Sequence, residues 1–354
     1  MNSRSVLSAK TQLFYIYTGS WRDNAAGIKV MHFLCDALNR TGQHAFLVIG
    51  NHNRGTVVLN AKLNTPVLSR DLARLHLQRG EVPRVIYSET IMGNPLHASC
   101  VIRYFLNYPG ALGGSLKFPI TEMQVAYTKN IKKQLPESST VLFLPAVDLE
   151  ELPKEIFTKE DYHLYYAGKY KAFVGNPELP SRLKMKEVSR IETEGNTRNE
   201  LLVLLAKAKS IFLFENSTLA TEAVLMGTPV VFIDNPFLGT VIAEQELGIE
   251  GTTNGYSEDG ILAAVGSIDI AKKKYLIAQN DFWKQLNEFI IAADVFFQDT
   301  NVYPLTRTRV PRRIYSPMTH KINLFKGVMR NYGLLKALRV SLLLSINLRK
   351  KNKK

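Results

Sequence analysis

The stretch SIFLFENSTLATEAVLMGTPVVF, residues 210–232, brings together groups able to hold a nucleotide. An apolar run at 210–214 reads as a strand and passes into a polar turn, Glu215-Asn216-Ser217-Thr218, before a helix over 218–226 that Gly227 closes. Backbone N–H groups near Ser217 and Thr218, at the expected positive end of that helix, suit a pyrophosphate. Glu222, one turn further, is placed to accept hydrogen bonds from the two hydroxyls of a ribose. A plain capped helix with an exposed glutamate reads the same way from these residues alone. A second cluster follows the strand run RVIY at 84–87: Glu89 just past its carboxyl end, then Gly93-Asn94-Pro95, His97, and a segment at 98–107 read as a helix bearing Arg103. These groups suit sugar hydroxyls, with Glu89 or His97 touching one of two substrates; a lone histidine ahead of a helix also reads as a structural cap.

The elements that must position these groups alternate between strand and helix. LFYIY (13–17), helix 28–40, Gly42 and AFLVI (45–49) form a βαβ opening, and RVIY and VLFLP (141–145) add parallel-type strands. A first domain therefore spans 1–148. The acidic stretch 149–161 contains Pro153 and reads as a linker. Alternation resumes with HLYYAGK, helix 199–209, strand 210–214 and strand 229–234, and an amphipathic helix at 281–297 ends a second domain spanning 162–298. The expected fold class is α/β, with two Rossmann-like domains facing a cleft. In such sheets ligands bind beyond the carboxyl ends of strands, where both clusters lie.

The segment ENSTLATEAVLMGTPVV resembles the C-terminal signature of retaining GT-B glycosyltransferases of bacterial polysaccharide and lipopolysaccharide type, E…E-A…G-x-P-V-V. That resemblance implies that Glu222 binds the ribose, that Asn216, Ser217 and Thr218 lie at the diphosphate, and that Glu215 approaches the donor sugar. The family spacing is E-x7-E, whereas six residues separate Glu215 from Glu222. AAGIKVMHFLCDALNRTGQHAFLVIG resembles the family's Gly-Gly opening, with Ala26 in place of the first glycine and Gly27 retained as a contact for the ligand. LYYAGKYKAF ends at Gly168-Lys169, where the family presents cations to the donor diphosphate. A fixed ammonium there stabilises the leaving group without a metal, Lys169 being first choice, Lys171 second and Arg198 a further alternative. A solvated surface lysine is the plain reading of the same residues. The chain has no Asp-x-Asp triplet and no cluster at metal-ligand spacing, so no metal or other cofactor is expected beyond the nucleotide-sugar.

Charge locates the remaining function. The net charge is +14, yet residues 301–354 carry 14 basic side chains and no acid, leaving 31 basic against 31 acidic residues in the first 300. A neutral body argues against a nucleic-acid partner. Residues 320–348 mix Lys and Arg with Leu, Ile, Val, Phe325 and Tyr332, a pattern that binds an anionic membrane surface; a solubilising tail, or a helix packed back on the body, would also fit. Cys35 and Cys100 read as buried thiols of a reducing compartment, the N-terminus as a strand without a secretory signal, and no apolar run is long enough to span a bilayer. The expectation is a glycosyltransferase of bacterial surface polysaccharide biosynthesis (lipopolysaccharide or capsule), peripheral on the cytoplasmic face of the cell membrane, acting on a glycan or lipid-linked glycan. A non-catalytic GT-B partner subunit and a GT-B nucleotide-sugar epimerase are the alternatives.

Overall fold

The run at 13–17 is β1, Leu13–Thr18, buried at all six positions in the computed structural model. That structure describes residues 11–300 apart from 51–55, 113, 190–196, 236, 237 and 239, and describes 169, 172 and 173 by their backbone alone. The expected membrane-binding tail at 320–354 lies outside the described residues. After β1 come α1 (Ala26–Arg40), β2 (His44–Ile49), α2 (Arg70–Gln78), β3 (Arg84–Ser88), β4 (Cys100–Phe105), β5 (Met123–Ala126), α3 (Lys129–Lys132) and β6 (Thr140–Val141). A connection holding one short helical turn, Leu149–Glu151, leads to the second set. It comprises β7 (His163–Tyr166), α4 (Gly168–Phe173), β8 (Met185–Glu187), α5 (Arg198–Lys207), β9 (Ile211–Leu213), α6 (Leu219–Leu225), β10 (Val230–Phe232), α7 (Glu244–Leu247), β11 (Thr252–Asn254) and α8 (Glu258–Phe297).

Two parallel sheets result, ordered β2-β1-β3-β4-β5-β6 and β11-β10-β9-β7-β8. Numbered within its own domain, the second sheet reads 2-1-3-4-5, the order with which the six-stranded first sheet begins. Both are doubly wound Rossmann-like sheets, and each has a switch point where its order reverses: between β1 and β3, and between β7 and β9. The chain thus has the GT-B arrangement of two such domains facing a cleft.

Three segments depart from the sequence reading. Residues 98–107 were expected as a helix, but 100–105 form β4, a central strand buried at every position. A strand covered on both faces shows a continuous apolar run instead of alternation, and Arg103 within it imitates the polar face of a helix. The strand expected over 141–145 keeps its ladder only at Thr140–Val141. Beyond it, backbone donors find partners on α8: Phe143 N–H bonds to Gln285 Oε1 at 2.8 Å, and Val147 N–H to the Tyr275 hydroxyl at 2.9 Å. The helix expected at 281–297 starts at Glu258 and runs for 40 residues. Its last turns do not complete the second domain. Phe282, Leu286, Phe289, Ile290, Ala293 and Phe297 pack into the first sheet's core with Phe14, Ile16, Leu34 and Ile102. A helix amphipathic along its whole length can serve two cores in succession, which its local pattern does not reveal. Both cysteines are free and buried. Among the described residues no helix is long and apolar enough to cross a membrane.

Candidate functional site

The carboxyl ends of both sheets open onto one cavity of about 1060 Å³. The first domain supplies the Thr18-Gly19-Ser20-Trp21 turn, the start of α1 at Ala26 and Gly27, and Glu89 and Thr90 after β3; the second supplies Tyr166, the 215–218 turn and one side of α6. This is where the topology places ligands, because each switch point contributes a strand end and a helix start.

Glu89 is 2% exposed. Its Oε2 accepts the N–H of Leu106, just beyond β4, at 2.9 Å. Burial pushes the carboxyl up to about 7, against a smaller pull downward from backbone N–H groups and from Arg103. Gly114, at φ +89, packs directly on the Glu89-Thr90 backbone, at a point where a side chain would collide with the Glu89 carbonyl. Arg103 lies behind the same loop, bonded to the carbonyls of Ser88, Ile91 and Gly93 and to both oxygens of Glu122.

Glu215 holds the corresponding place in the second domain, past the end of β9, and is equally buried at 2%. Its Oε2 accepts the N–H of Tyr170 at 2.9 Å. Tyr170 lies in the first turn of α4, whose own N-cap, Ala167, has no side chain able to cap it. Glu215 therefore caps α4 and fixes the Gly168-Lys169 turn from the neighbouring strand. Asn216 spends its amide on structure: Nδ2 donates to the carbonyls of Leu238 and Thr240, and Oδ1 accepts the N–H of Ile242. Asn216, Ser217 and Thr218 all line the cavity, as does Gly27.

Other expected residues fall elsewhere. His97 is exposed in a turn at φ 52, its N–H on the Asn94 carbonyl, and is no part of the cavity wall. It stands outside because the segment after it runs as a strand beneath the site and not as a helix beside it. Lys171 pairs with Glu187 on the surface and lies over the Tyr165 ring, away from the cleft. The same strong ion pair holds its ammonium above the usual lysine range in spite of partial burial. Gly168 is exposed against the Tyr166 ring, and the Lys169 backbone follows it in α4.

Glu222 is 2% exposed, but the face of α6 on the cavity is that of Ala220, Thr221, Val224 and Leu225. Glu222 turns the other way. Its Oε1 accepts from Arg198, the first residue of α5, at 2.9 Å, while Oε2 is buried without a hydrogen-bond partner. Arg198 also lies 3.7 Å from Glu151 of the connection, and Lys29 of α1 lies 4.0 Å from the same carboxylate. Burial, then the nearness of Arg198, pulls the Lys29 ammonium down; Arg198 itself is held above its usual range by Glu222 and Glu151, which outweigh its burial. This cluster joins the first domain, the connection and the second domain. Sequence reasoning passed over Lys29, although a lysine inside the apolar pattern IKVMHFL was a legible signal of a buried cation.

No protein-family profile matches the chain, and no curated protein matches it. Among solved structures, an O-GlcNAc transferase variant from Thermobaculum terrenum is 12% identical, covers 82% of this chain and 69% of its own, and superposes with a TM-score of 0.49. WaaG, a glycosyltransferase involved in lipopolysaccharide biosynthesis, is 12% identical over 80% of this chain and 99% of its own, at 0.42. The glycosyltransferase SnogD from Streptomyces nogalater is 13% identical over 80% and 100%, at 0.42. Likenesses at these TM-scores carry no argument about the chemistry of this chain, which rests on the site itself.

Proposed function

We propose that the protein is a glycosyltransferase that binds a nucleotide-sugar on the second-domain wall of the cleft and passes the sugar to a hydroxyl held on the first-domain wall. The observation that carries this reading is one cavity bounded by both switch points, with Glu89 on one wall and the 215–218 turn on the other. A carboxyl titrating near 7 suits proton removal from an alcohol. In the step, the acceptor O–H proton passes to the Glu89 carboxylate and the acceptor oxygen bonds to the anomeric carbon. The bond from that carbon to the diphosphate breaks, its electron pair leaving with the phosphate. Lys169 and the backbone at Ser217 and Thr218 meet that charge without a divalent cation, so activity should survive chelation.

Resemblance to retaining enzymes carries retention of anomeric configuration. A base on the wall opposite the donor favours the second reading, single displacement with inversion, and the anomer of the product by NMR decides between them. The division of the chain at the 149–161 connection belongs to the same proposal, with the end of α8 returned to the first domain. So do an acceptor among bacterial surface glycans or lipid-linked glycans and a peripheral membrane location through 320–354. A non-catalytic partner subunit is the rival reading, favoured by Ala26, the shortened glutamate spacing and the engagement of Glu222 with Arg198.

Thermal-shift screening against UDP, GDP, CMP and dTDP sugars tests the donor site, comparing wild type with Glu222→Ala. In this proposal nucleotide binding turns Glu222 from Arg198 toward the ribose, so the variant should lose the nucleotide response. If no nucleotide stabilises the wild type, or the variant responds equally, the donor assignment fails. Deleting 320–354 should abolish sedimentation with anionic liposomes; unchanged binding overturns the membrane assignment.

A further inference from the structure

Arg103 is among the largest fully buried side chains, 1% exposed in the middle of β4. All five of its N–H donors have acceptors. Nε and one Nη2 hydrogen go to the two oxygens of Glu122 at 2.9 and 3.0 Å; the others go to the carbonyls of Ile91 at 2.6 Å, Gly93 at 2.8 Å and Ser88 at 3.4 Å. Its guanidinium also lies over the rings of Tyr87 and Phe118 at 5.1 and 5.2 Å. An ion pair this deep is costly to desolvate, and apolar residues of similar volume usually serve stability as well or better. Here the fork is directed onto three carbonyls of a single loop, and that loop is the one that brings Glu89 into the cleft.

We propose that Arg103 is the positioning residue of this site: through the carbonyls of Ser88, Ile91 and Gly93 it fixes the loop on which Glu89 enters the cleft, and it sets a positive charge behind the Glu89 carboxyl. This rests on the reading of Glu89 as the group that takes the acceptor's proton. The groups acting on Glu89 are the Arg103 cation from β4 and the backbone N–H groups of Leu106 and Asn107 beyond that strand; Glu122 and Tyr87 face Arg103 from its other sides. Without the cation, burial opposed only by those backbone N–H groups would hold the carboxyl protonated to higher pH, where it cannot accept a proton.

The test needs no substrate. In the full chain, the melting temperature of wild type minus that of Glu89→Gln is followed from pH 5 to pH 9, which reports the titration of Glu89. The measurement is repeated in an Arg103→Met/Glu122→Leu background, chosen because removing both charges together spares the fold an unpaired ion. The midpoint should rise in that background, by a fraction of a pH unit because the Glu122 charge leaves with the cation, and return toward wild type with Arg103→Lys, which keeps the charge. An unmoved midpoint in a folded double variant overturns the proposal, since a purely structural arginine would alter the melting temperature without altering the titration. If the double variant does not fold, Arg103→Lys alone decides: a Glu89 loop unchanged by NMR, despite loss of the three-carbonyl fork, would overturn it. For a nucleotide-sugar found by thermal shift, kcat in the double variant should fall at least about tenfold at pH 7. Should Glu89→Gln transfer sugar as fast as wild type, the reading of Glu89 fails instead, whatever Arg103 does to the titration.

Discussion

Glu89 and Glu215 occupy the same station in two sheets of the same strand order: each follows the third strand of its domain, is 2% exposed, and gives one carboxylate oxygen to a backbone N–H from an adjoining segment. Their tasks have diverged. Glu215 caps α4, whereas Glu89 bonds to the chain beyond β4 and has the arginine behind its loop.

Replacing Glu89 by Gln should abolish the proposed sugar transfer and stabilise the protein at neutral and alkaline pH. The folded carboxyl titrates near 7, above its range in the unfolded chain, so the stability linked to its protonated form is full below about 4.5 and is lost as pH rises through 7. The glutamine variant escapes that loss, worth about 3 kcal/mol at most. Melting curves of both proteins should coincide near pH 4 and separate by several degrees at pH 8; curves that separate in acid would contradict the assignment.

Gly114→Ala should disturb the site from a distance in sequence. At φ +89 any side chain is strained, and this one would press on the Glu89 carbonyl. We expect a loss of more than about 1 kcal/mol and a fall in transfer rate of about tenfold or more, because a shifted base is a poor one. Wild-type kinetics in this variant would mean that the Glu89 loop tolerates displacement.

Arg198→Met should be among the most damaging exchanges at the domain boundary, at about 3–5 kcal/mol, since it strands the Glu222 carboxylate in a buried position. Adding Glu222→Leu should return most of that stability. Chemical denaturation of the single and double variants measures the coupling, and simple additivity would show that the pair does not interact.

The strand runs at 13–17, 84–87 and 210–214 were legible because buried parallel strands are uniformly apolar, and the 215–218 turn because its polar residues interrupt such a run. β4 was not, since a single buried arginine gave it a helix-like pattern. The first part of α8 was hidden by the exposed Leu262, Val265, Leu276 and Ile277, which blur its apolar face. In the site, Glu89 and the 215–218 turn follow from strand ends. The pairing of Arg198 with Glu222, the capping of α4 by Glu215 and the placing of Lys29 at a domain boundary join residues far apart in the chain, and no local period encodes them.

Leu286→Ala or Phe289→Ala, both late in α8, should weaken the first sheet by about 2–5 kcal/mol. Amide exchange in β1 should accelerate more than exchange in β9, which packs in a separate core. Equal acceleration in both strands would argue against the crossing described for α8.

The return of α8 to the first sheet also bears on the order of events during synthesis. Domains generally fold as units, the N-terminal one first, while the ribosome adds about 5–20 residues per second. Here the first sheet lacks Leu286, Phe289, Ile290 and Phe297 until the second sheet has been made, so its apolar face stays uncovered while the intervening strands and helices emerge. The half of the protein translated first is therefore completed only after the second half has been made, and until then it carries an open apolar face.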